Sequence, residues 1–115
     1  MKMISAVVRP ERIHDVIAAL GKAGIGAFTR VDVSGRGRQR GIQVGPIRYE
    51  ELPKVWLMVV IEDHEAERAI DTIKIAARTG NPGDGKIFLT SLADVRTIRT
   101  RTLDVARDEA RKELG

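Results

Sequence analysis

Two stretches of the chain repeat apolar residues with the spacing of an α-helix. Between Glu11 and Lys22 apolar side chains recur at i, i+3, i+4 and i+7, and between Asp63 and Gly80 they recur at i, i+4, i+7 and i+11, so each set lies on one helical face. Pro10 is suited to open the first helix, and we expect Asp63 to cap the second. The apolar positions are Ile13, Val16, Ile17 and Leu20 in the first helix, and Ala66, Ile70, Ile73 and Ala77 in the second.

Four other stretches have the character of β-strands, at residues 3–8, 27–33, 55–61 and 86–91. Residues 27–33 alternate between apolar and polar side chains, as in a strand with one buried face, whereas residues 55–61 are apolar throughout. A strand that is apolar on both faces suits a sheet covered by helices on one side and by a partner chain on the other. The order β-α-β-loop-β-α-β predicts an α+β, ferredoxin-like βαββαβ sandwich that oligomerises.

The chain length of 115 residues allows one domain, which we place at residues 1–100. A glycine-rich segment at about residues 36–53 separates the second and third predicted strands and is too long for a tight turn, so we expect an irregular projecting loop. Residues 101–115 form a charged tail that we predict to be a helical extension.

Composition narrows the classes of function. The chain has no cysteine and two distant histidines, His14 and His64, which excludes disulfides and thiolate metal sites and gives no support to a histidine metal site. No apolar run approaches the roughly 20 residues of a membrane helix, so we expect a cytoplasmic protein without membrane insertion. The net charge of +4, with fourteen arginines and six lysines, favours an anionic ligand, either nucleic acid or a smaller anion.

Two segments combine glycines with cations. The first is Gly-Arg-Gly-Arg-Gln-Arg-Gly at residues 35–41, and the second is Gly-Asn-Pro-Gly-Asp-Gly-Lys at residues 80–86. The second has the GxxxxGK spacing of a P-loop, but Ile87 replaces the required hydroxyl residue and the segment joins a helix to a strand, not a strand to a helix. Glycine amides beside a lysine still suit a polyphosphate. A solvated basic loop and an ordinary turn are the alternatives that the residues leave open.

These two segments belong to a longer pattern. Leu-Pro-Lys lies at residues 52–54, the second segment extends to Thr-Gly-Asn-Pro-Gly-Asp-Gly-Lys-Ile-Phe at 79–88, and Ile-Arg-Thr lies at 98–100. The pattern resembles the PII nitrogen-regulatory signal-transduction proteins. The resemblance covers about residues 1–100. It implies a homotrimer, or an assembly with a paralogous PII protein, that binds ATP or ADP in clefts between subunits. With MgATP bound, the same clefts take 2-oxoglutarate. No catalytic activity is implied.

The resemblance also implies site residues. Those for ATP or ADP are Thr29, Gly35, Gly37, Arg38, Gln39, Val60, Gly83, Asp84, Gly85, Lys86 and Arg99. Those for 2-oxoglutarate are Gly37, Gln39, Gly41 and Lys54, and Gln39 is also the Mg²⁺ ligand. Arg40, Arg48 and Tyr49 in the projecting loop are the implied contacts to a target protein.

The sequence departs from the common PII pattern at two places. The span between Gly41 and Leu52 is short, so Tyr49 does not match the tyrosine that is modified in many PII proteins. In this short span the chain is similar to the NifI-type branch of nitrogenase operons. That likeness makes nitrogenase the expected target; an ammonium transporter or glutamine synthetase is the alternative. The family's Arg-x-Arg-Thr appears as Thr97-Ile98-Arg99-Thr100, which predicts weaker or differently supported nucleotide binding.

Two other classes of function share this topology. An RNA-binding ferredoxin-like domain stacks bases on sheet aromatics, but this chain has only one tryptophan, one tyrosine and two phenylalanines. A small phosphatase-like enzyme needs a general base, and the only acid within the glycine segments is Asp84, which is better suited to shaping a turn. We therefore expect neither a nucleic-acid partner nor catalysis.

Overall fold

The computed structural model describes residues 1–36, 42–49 and 51–100. The predicted tail at 101–115 lies outside these ranges. The elements in chain order are β1 (Lys2–Val8), α1 (Ile13–Lys22), β2 (Thr29–Gly35), β3 (Ile42–Val44), β4 (Ile47–Tyr49), β5 (Leu52–Ile61), α2 (Ala66–Ala77) and β6 (Gly85–Ser91). Single 3-10 turns, Pro10–Arg12 and Asp63–Glu65, lead into the two helices.

The main sheet has four antiparallel strands in the order β2-β5-β1-β6. Both helices pack on one face of this sheet, so the βαββαβ ferredoxin-like fold predicted from the sequence is confirmed. β1 is central and pairs with β5 on one side and β6 on the other; Ala6, for example, lies between Leu57 and Ile87. The carboxyl end of β1, the start of β5 and the start of β6 therefore meet at the same end of the sheet.

The hydrophobic core lies between the two helices and the facing side of β1 and β5. The helical periodicity predicted its helical contribution, although Ile17 and Ile70 are only partly buried and Ala69 joins the core. The buried apolar residues are Ile4, Ala6, Val8, Ile13, Val16, Leu20, Ile25, Val55, Leu57, Val59, Ile61, Ala66, Ala69, Ile73 and Ala77. Neither described helix is long and apolar enough to cross a membrane.

The opposite side of the sheet is an open apolar face. Along β5, Val55, Leu57, Val59 and Ile61 are buried, whereas Trp56 and Val60, which alternate with them, are exposed, at 38% and 39%. Val31 of β2 and Phe88 of β6 extend this face. The helices therefore cover one side of the doubly apolar strand, as predicted. Large exposed apolar patches mark contact surfaces, so the covering of the other side by a partner chain stays a prediction.

Strand β2 differs from its prediction, because its apolar side faces away from the helical core. Thr29, Val31 and Val33 alternate with polar residues as expected, but Val31 pairs with Trp56 and so lies on the open face, where it is 44% exposed. No residue of β2 is buried in the single chain. The alternation shows that one side of a strand is apolar, but it does not show which side faces the helices.

The segment between β2 and β5 is not wholly irregular, and that prediction is wrong for residues 42–49. β3 and β4 form an antiparallel hairpin in which Ile42 pairs with Tyr49 and Val44 with Ile47. Gly45 has a φ of 58°, and the ring of Pro46 keeps its own φ negative, which together match a type II′ turn. A glycine turn flanked by alternating apolar residues was the signal for this hairpin.

The start of the second helical segment also differs from the prediction. Glu62, not Asp63, occupies the cap position of the 3-10 turn, and no side-chain cap hydrogen bond is formed there. The Asp63 carboxylate instead lies 3.0 Å from the Met1 amino group. This hydrogen bond, together with that positive charge, lowers the pKa of Asp63.

A pair of isoleucines on α2 tests the assignment of the buried face. Ile73 is fully buried and Ile75 is 79% exposed. We expect Ile73→Ala to lower the free energy of unfolding by about 3 kcal/mol, because it leaves a cavity in the core. Ile75→Ala should change it by less than about 0.5 kcal/mol. Urea denaturation at one fixed protein concentration measures both, and equal losses would contradict the assignment.

Candidate ligand-binding site

The predicted phosphate segment joins α2 to β6, and we call its residues 79–85, the last of which is the first residue of β6, the glycine loop. Its glycines at 80, 83 and 85 all have positive φ. At Gly85 the backbone of β6 lies so close to β1 that a Cβ atom would be 1.7 Å from the Val7 carbonyl oxygen. Glycine is thus required at position 85 both by its φ of 106° and by the close approach of β1.

Asp84 organises the glycine loop from within. Its carboxylate accepts hydrogen bonds from the Thr79 and Gly80 amides, each at 2.9 Å, and from the Thr79 hydroxyl. A fourth donor is the Arg9 Nε at 3.0 Å. These bonds, the Thr79 hydroxyl first among them, hold the pKa of Asp84 well below its usual range. So acidic a carboxyl group is a weak general base, which agrees with a loop-shaping role.

Two cations from the neighbouring strands hold successive carbonyl groups of the glycine loop. Arg9, directly after β1, donates from Nη2 to the Pro82 carbonyl oxygen at 2.6 Å. Lys54 of β5 donates from Nζ to the Gly83 carbonyl oxygen, also at 2.6 Å. The lysine predicted to bind 2-oxoglutarate is thus in direct contact, within a single chain, with the loop predicted to bind phosphates.

Arg9 is the residue of this site that the sequence reasoning missed. In the sequence it appears only as the cation that ends a strand before Pro10. Its role becomes visible once the sheet order brings the end of β1 beside the start of β6, more than seventy residues later in the chain.

The electrostatic state of Lys54 is set by its half-buried position. Burial, and then the nearby Arg9 guanidinium, lowers the pKa of Lys54, while Glu11 and Asp84 act in the opposite direction. The ammonium group therefore lacks part of the stabilisation that it has in water. A carboxylate placed beside it would restore that stabilisation.

Other predicted residues lie further away. Gly35 ends β2 and pairs with Leu52 near Lys54. Thr29, which pairs with Met58 of β5, lies on the opposite edge strand from Lys86 of β6. Three inter-strand steps separate those edges, roughly 14 Å at the usual strand spacing. One chain brings together Lys54 and the glycine loop, but it leaves Thr29 and Val60 apart from Lys86.

Several predicted site residues lie outside the part of the chain that the structure describes. Residues Gly37, Arg38, Gln39, Arg40 and Gly41 lie outside the described ranges, as do the side chains of Arg48 and Tyr49, whose backbone belongs to β4. Arg99 is exposed in a turn after β6, next to the hydrogen bond from the Thr100 amide to the Thr97 carbonyl at 3.3 Å.

A groove of about 500 Å³ runs beside the glycine loop, between α2 and β6. Ile70, Ile73 and Ile87 form part of its apolar floor, and Lys74 and Arg78 are among the cations along it. Asp84, Gly85 and Lys86 line the end nearest the loop, so the groove adjoins the candidate site.

The chain is similar to known proteins over most of its length. Residues 1–102 match the family described as Nitrogen regulatory protein P-II. The chain belongs to the P-II family. One relative, the "Nitrogen fixation nifHD region glnB-like protein 1" of Methanococcus maripaludis, is 50% identical over 102 residues, which cover 89% of this chain and 97% of that protein.

Two further P-II relatives come from other methanogens. The protein named "Nitrogen fixation nifHD region GlnB-like protein 1" of Methanothermococcus thermolithotrophicus is 47% identical over 87% of this chain and 95% of its own length. "Nitrogen regulatory protein P-II 1" of Methanothermobacter thermautotrophicus is 43% identical over 87% of this chain and 90% of its own length. The expected family is confirmed, and the names of the first two relatives are consistent with the nitrogenase-operon branch.

The Asp84 network predicts an acid dependence of stability. A folded-state pKa below the unfolded value contributes stability above the unfolded pKa, and that contribution is lost as pH falls from about 4 toward the folded pKa. We expect Asp84→Asn to be less stable than wild type near neutrality and to lose less stability below pH 4. Urea midpoints measured between pH 6 and pH 2.5 test this.

The matched control is Asp71→Asn, which removes the same charge from an exposed position on α2. Its acid dependence should follow that of wild type. Part of the dependence should survive in Asp84→Asn, because the pKa of Asp63 is also lowered. Identical profiles for wild type and Asp84→Asn would show that the network does not stabilise the fold.

Proposed function

We propose that this P-II protein reports nitrogen status in the cytoplasm by binding ATP or ADP and, with MgATP, 2-oxoglutarate. The sites lie between subunits of a homotrimer, or of an assembly with a paralogous P-II protein, and their occupancy regulates nitrogenase. The observation that carries the proposal is the hydrogen bond between Lys54 Nζ and the Gly83 carbonyl at 2.6 Å. It joins the lysine expected to bind the metabolite to the loop expected to bind the phosphates.

The glycine loop fits a polyphosphate. Positive φ values at Gly83 and Gly85 give the backbone a conformation in which amides can converge on an anion. The absence of a side chain at Gly83 would let phosphate oxygens approach the backbone closely. Lys86 follows the loop directly and is exposed, so its ammonium group supplies a charge for the phosphates, and Arg38 and Arg99 would add guanidinium groups.

The positions of Thr29 and Lys86 support a site shared between subunits. They lie on opposite edge strands of one sheet, and the face between those edges is apolar and exposed. Three chains that pack their open faces around a common axis would set the β2 edge of one chain beside the β6 edge of the next. Thr29 and Val60 would then border the adenine, and the glycine loop of a neighbouring chain would hold the phosphates.

Mg²⁺ fits as a partner of the nucleotide, not as a separately bound ion. Within the described ranges, no group of three histidine or acidic side chains is placed to hold a metal. Mg²⁺ favours oxygen ligands and commonly binds through phosphates with few protein groups, so phosphate oxygens and the Gln39 side chain would hold it. Bound there, it would supply a coordination site for the keto and adjacent carboxylate oxygens of 2-oxoglutarate, which Gly37 and Gly41 would approach closely.

Lys54 would then bind the distal carboxylate of 2-oxoglutarate. Its lowered pKa means that an added negative charge would interact favourably with it. Lys54 is also two residues after the start of β5, where the projecting segment returns to the sheet. Metabolite binding would therefore bias that segment, in which Arg40, Arg48 and Tyr49 are the expected target contacts. A coupling of about 1–3 kcal/mol is typical of such regulation.

Titration calorimetry of 2-oxoglutarate tests the ligand part of the proposal. We expect wild type to bind the metabolite with MgATP present and not without it. Lys54→Ala should weaken this binding at least about tenfold, because a charged hydrogen-bond partner is lost. Lys22→Ala, which removes the same charge from the end of α1, should bind like wild type. Binding to the nucleotide-free protein would contradict the ordered mechanism.

The target is proposed from the relatives, whose names place them in nitrogen-fixation nifHD regions. In a nitrogenase assay with MgATP present, added protein should lower the rate of substrate reduction, and 2-oxoglutarate should restore it. The Lys54→Ala variant should still inhibit but should no longer respond to the metabolite. No effect on nitrogenase, together with an effect on glutamine synthetase or an ammonium transporter, would assign the protein to another target.

A further inference from the structure

We propose that Arg9 is a positioning residue for the bound nucleotide, which orients the glycine-loop amides toward the phosphates without contacting the nucleotide itself. The inference rests on the proposed function and adds to it a residue from a different part of the chain. Arg9 belongs to none of the glycine-rich segments, and its position is fixed by β1.

The Arg9 side chain is held at two points of the loop. Nη2 lies 2.6 Å from the Pro82 carbonyl oxygen and Nε lies 3.0 Å from a carboxylate oxygen of Asp84. The side chain is only 21% exposed, and Glu11 lies 3.9 Å from Nη1. The planar guanidinium fixes the spacing of its donors, so the two bonds determine where Pro82 and Asp84 lie relative to β1.

The carbonyl contacts determine the direction of the loop amides. In a planar trans peptide the carbonyl and the amide point in opposite directions. Because Arg9 binds the Pro82 carbonyl, the Gly83 amide points away from Arg9. Because Lys54 binds the Gly83 carbonyl, the Asp84 amide points away from Lys54. Gly83, with a φ of 96°, joins the two peptides in a conformation that permits successive amides to form an anion-binding concavity.

Arg9 and Lys54 differ in what happens to them when ligands bind. Lys54 is proposed to bind the distal carboxylate of 2-oxoglutarate and would then share or release the Gly83 carbonyl. Arg9 has its own carboxylate partner in Asp84, so it would keep its contacts in both states. The loop would therefore depend on Arg9 most strongly when the metabolite is bound.

Titration calorimetry with MgATP tests the role of Arg9. Arg9→Ala should weaken MgATP binding by about tenfold, the usual effect of losing a charge-assisted hydrogen bond. Arg9→Lys keeps one charged donor for the loop and should recover part of the loss. The matched control is Arg68→Ala, because Arg68 also donates to a backbone carbonyl at 2.6 Å, that of Ala23, but joins α2 to the end of α1. It should bind MgATP like wild type.

Adenosine separates positioning from general stability. It lacks phosphates, so Arg9→Ala should bind adenosine as wild type does in an NMR titration, and only the phosphate-bearing nucleotides should lose affinity. Amide hydrogen exchange at Gly83 and Asp84 should be faster in Arg9→Ala than in Arg68→Ala. Equal losses for adenosine and MgATP would indicate a structural role and overturn the proposal.

The outcomes distinguish a failure of the positioning role from a failure of the proposed function. If wild type binds MgATP and Arg9→Ala binds it equally well, the positioning role is wrong and the proposed function stands. If wild type does not bind MgATP, both are wrong. Should Arg9→Ala fail to fold, Arg9→Lys and Arg9→Gln carry the test, and equal MgATP affinity in wild type and Arg9→Gln would then refute the role of the charge.

Discussion

The candidate site depends on one set of contacts, those that fix the glycine loop against the ends of β1 and β5. Asp84 binds the loop's own backbone at Thr79 and Gly80, and Arg9 and Lys54 bind the carbonyls of Pro82 and Gly83. A glycine-rich loop would otherwise sample many conformations. These contacts select one of them, so the phosphates would meet amides that are already oriented.

The sheet explains how these groups come together. β1 ends, and β5 and β6 begin, at the same end of the sheet, so residues from three distant parts of the sequence become neighbours. The close approach of β6 to β1 at Gly85 fixes the loop at its carboxyl end. The side of the sheet without helices is apolar, and the two edge strands, β2 and β6, lie far apart. A single chain therefore holds the glycine loop of the proposed site but does not bring Thr29 close to that loop.

Local sequence patterns predicted the helices and strands well, but they predicted less well which residues contact each other in the folded chain. The helices, the four main strands and the fold followed from periodicity, because 3.6-residue and two-residue repeats are properties of the element alone. Three other features depend on which residues lie opposite in the folded chain. They are the side of the sheet on which Val31 of β2 lies, the hairpin at residues 42–49 and the contact of Asp63 with Met1. Arg9 was missed for the same reason, since its partners are seventy or more residues away. The glycine loop was found from its own residues and Lys54 through the family resemblance, and the structure adds that the Lys54 side chain donates a hydrogen bond to the loop.

We propose that the glycine loop, Lys54 and the nucleotide form one site that a neighbouring chain completes. A crystal structure of the assembly with MgATP and 2-oxoglutarate tests it most directly. We expect three chains with their apolar sheet faces inward. Each nucleotide should lie between Thr29 of one chain and the glycine loop and Lys86 of the next, with Arg38 also at the phosphates. A nucleotide bound by one chain alone, or Arg38 and Lys86 remote from each other at every chain boundary, would contradict it.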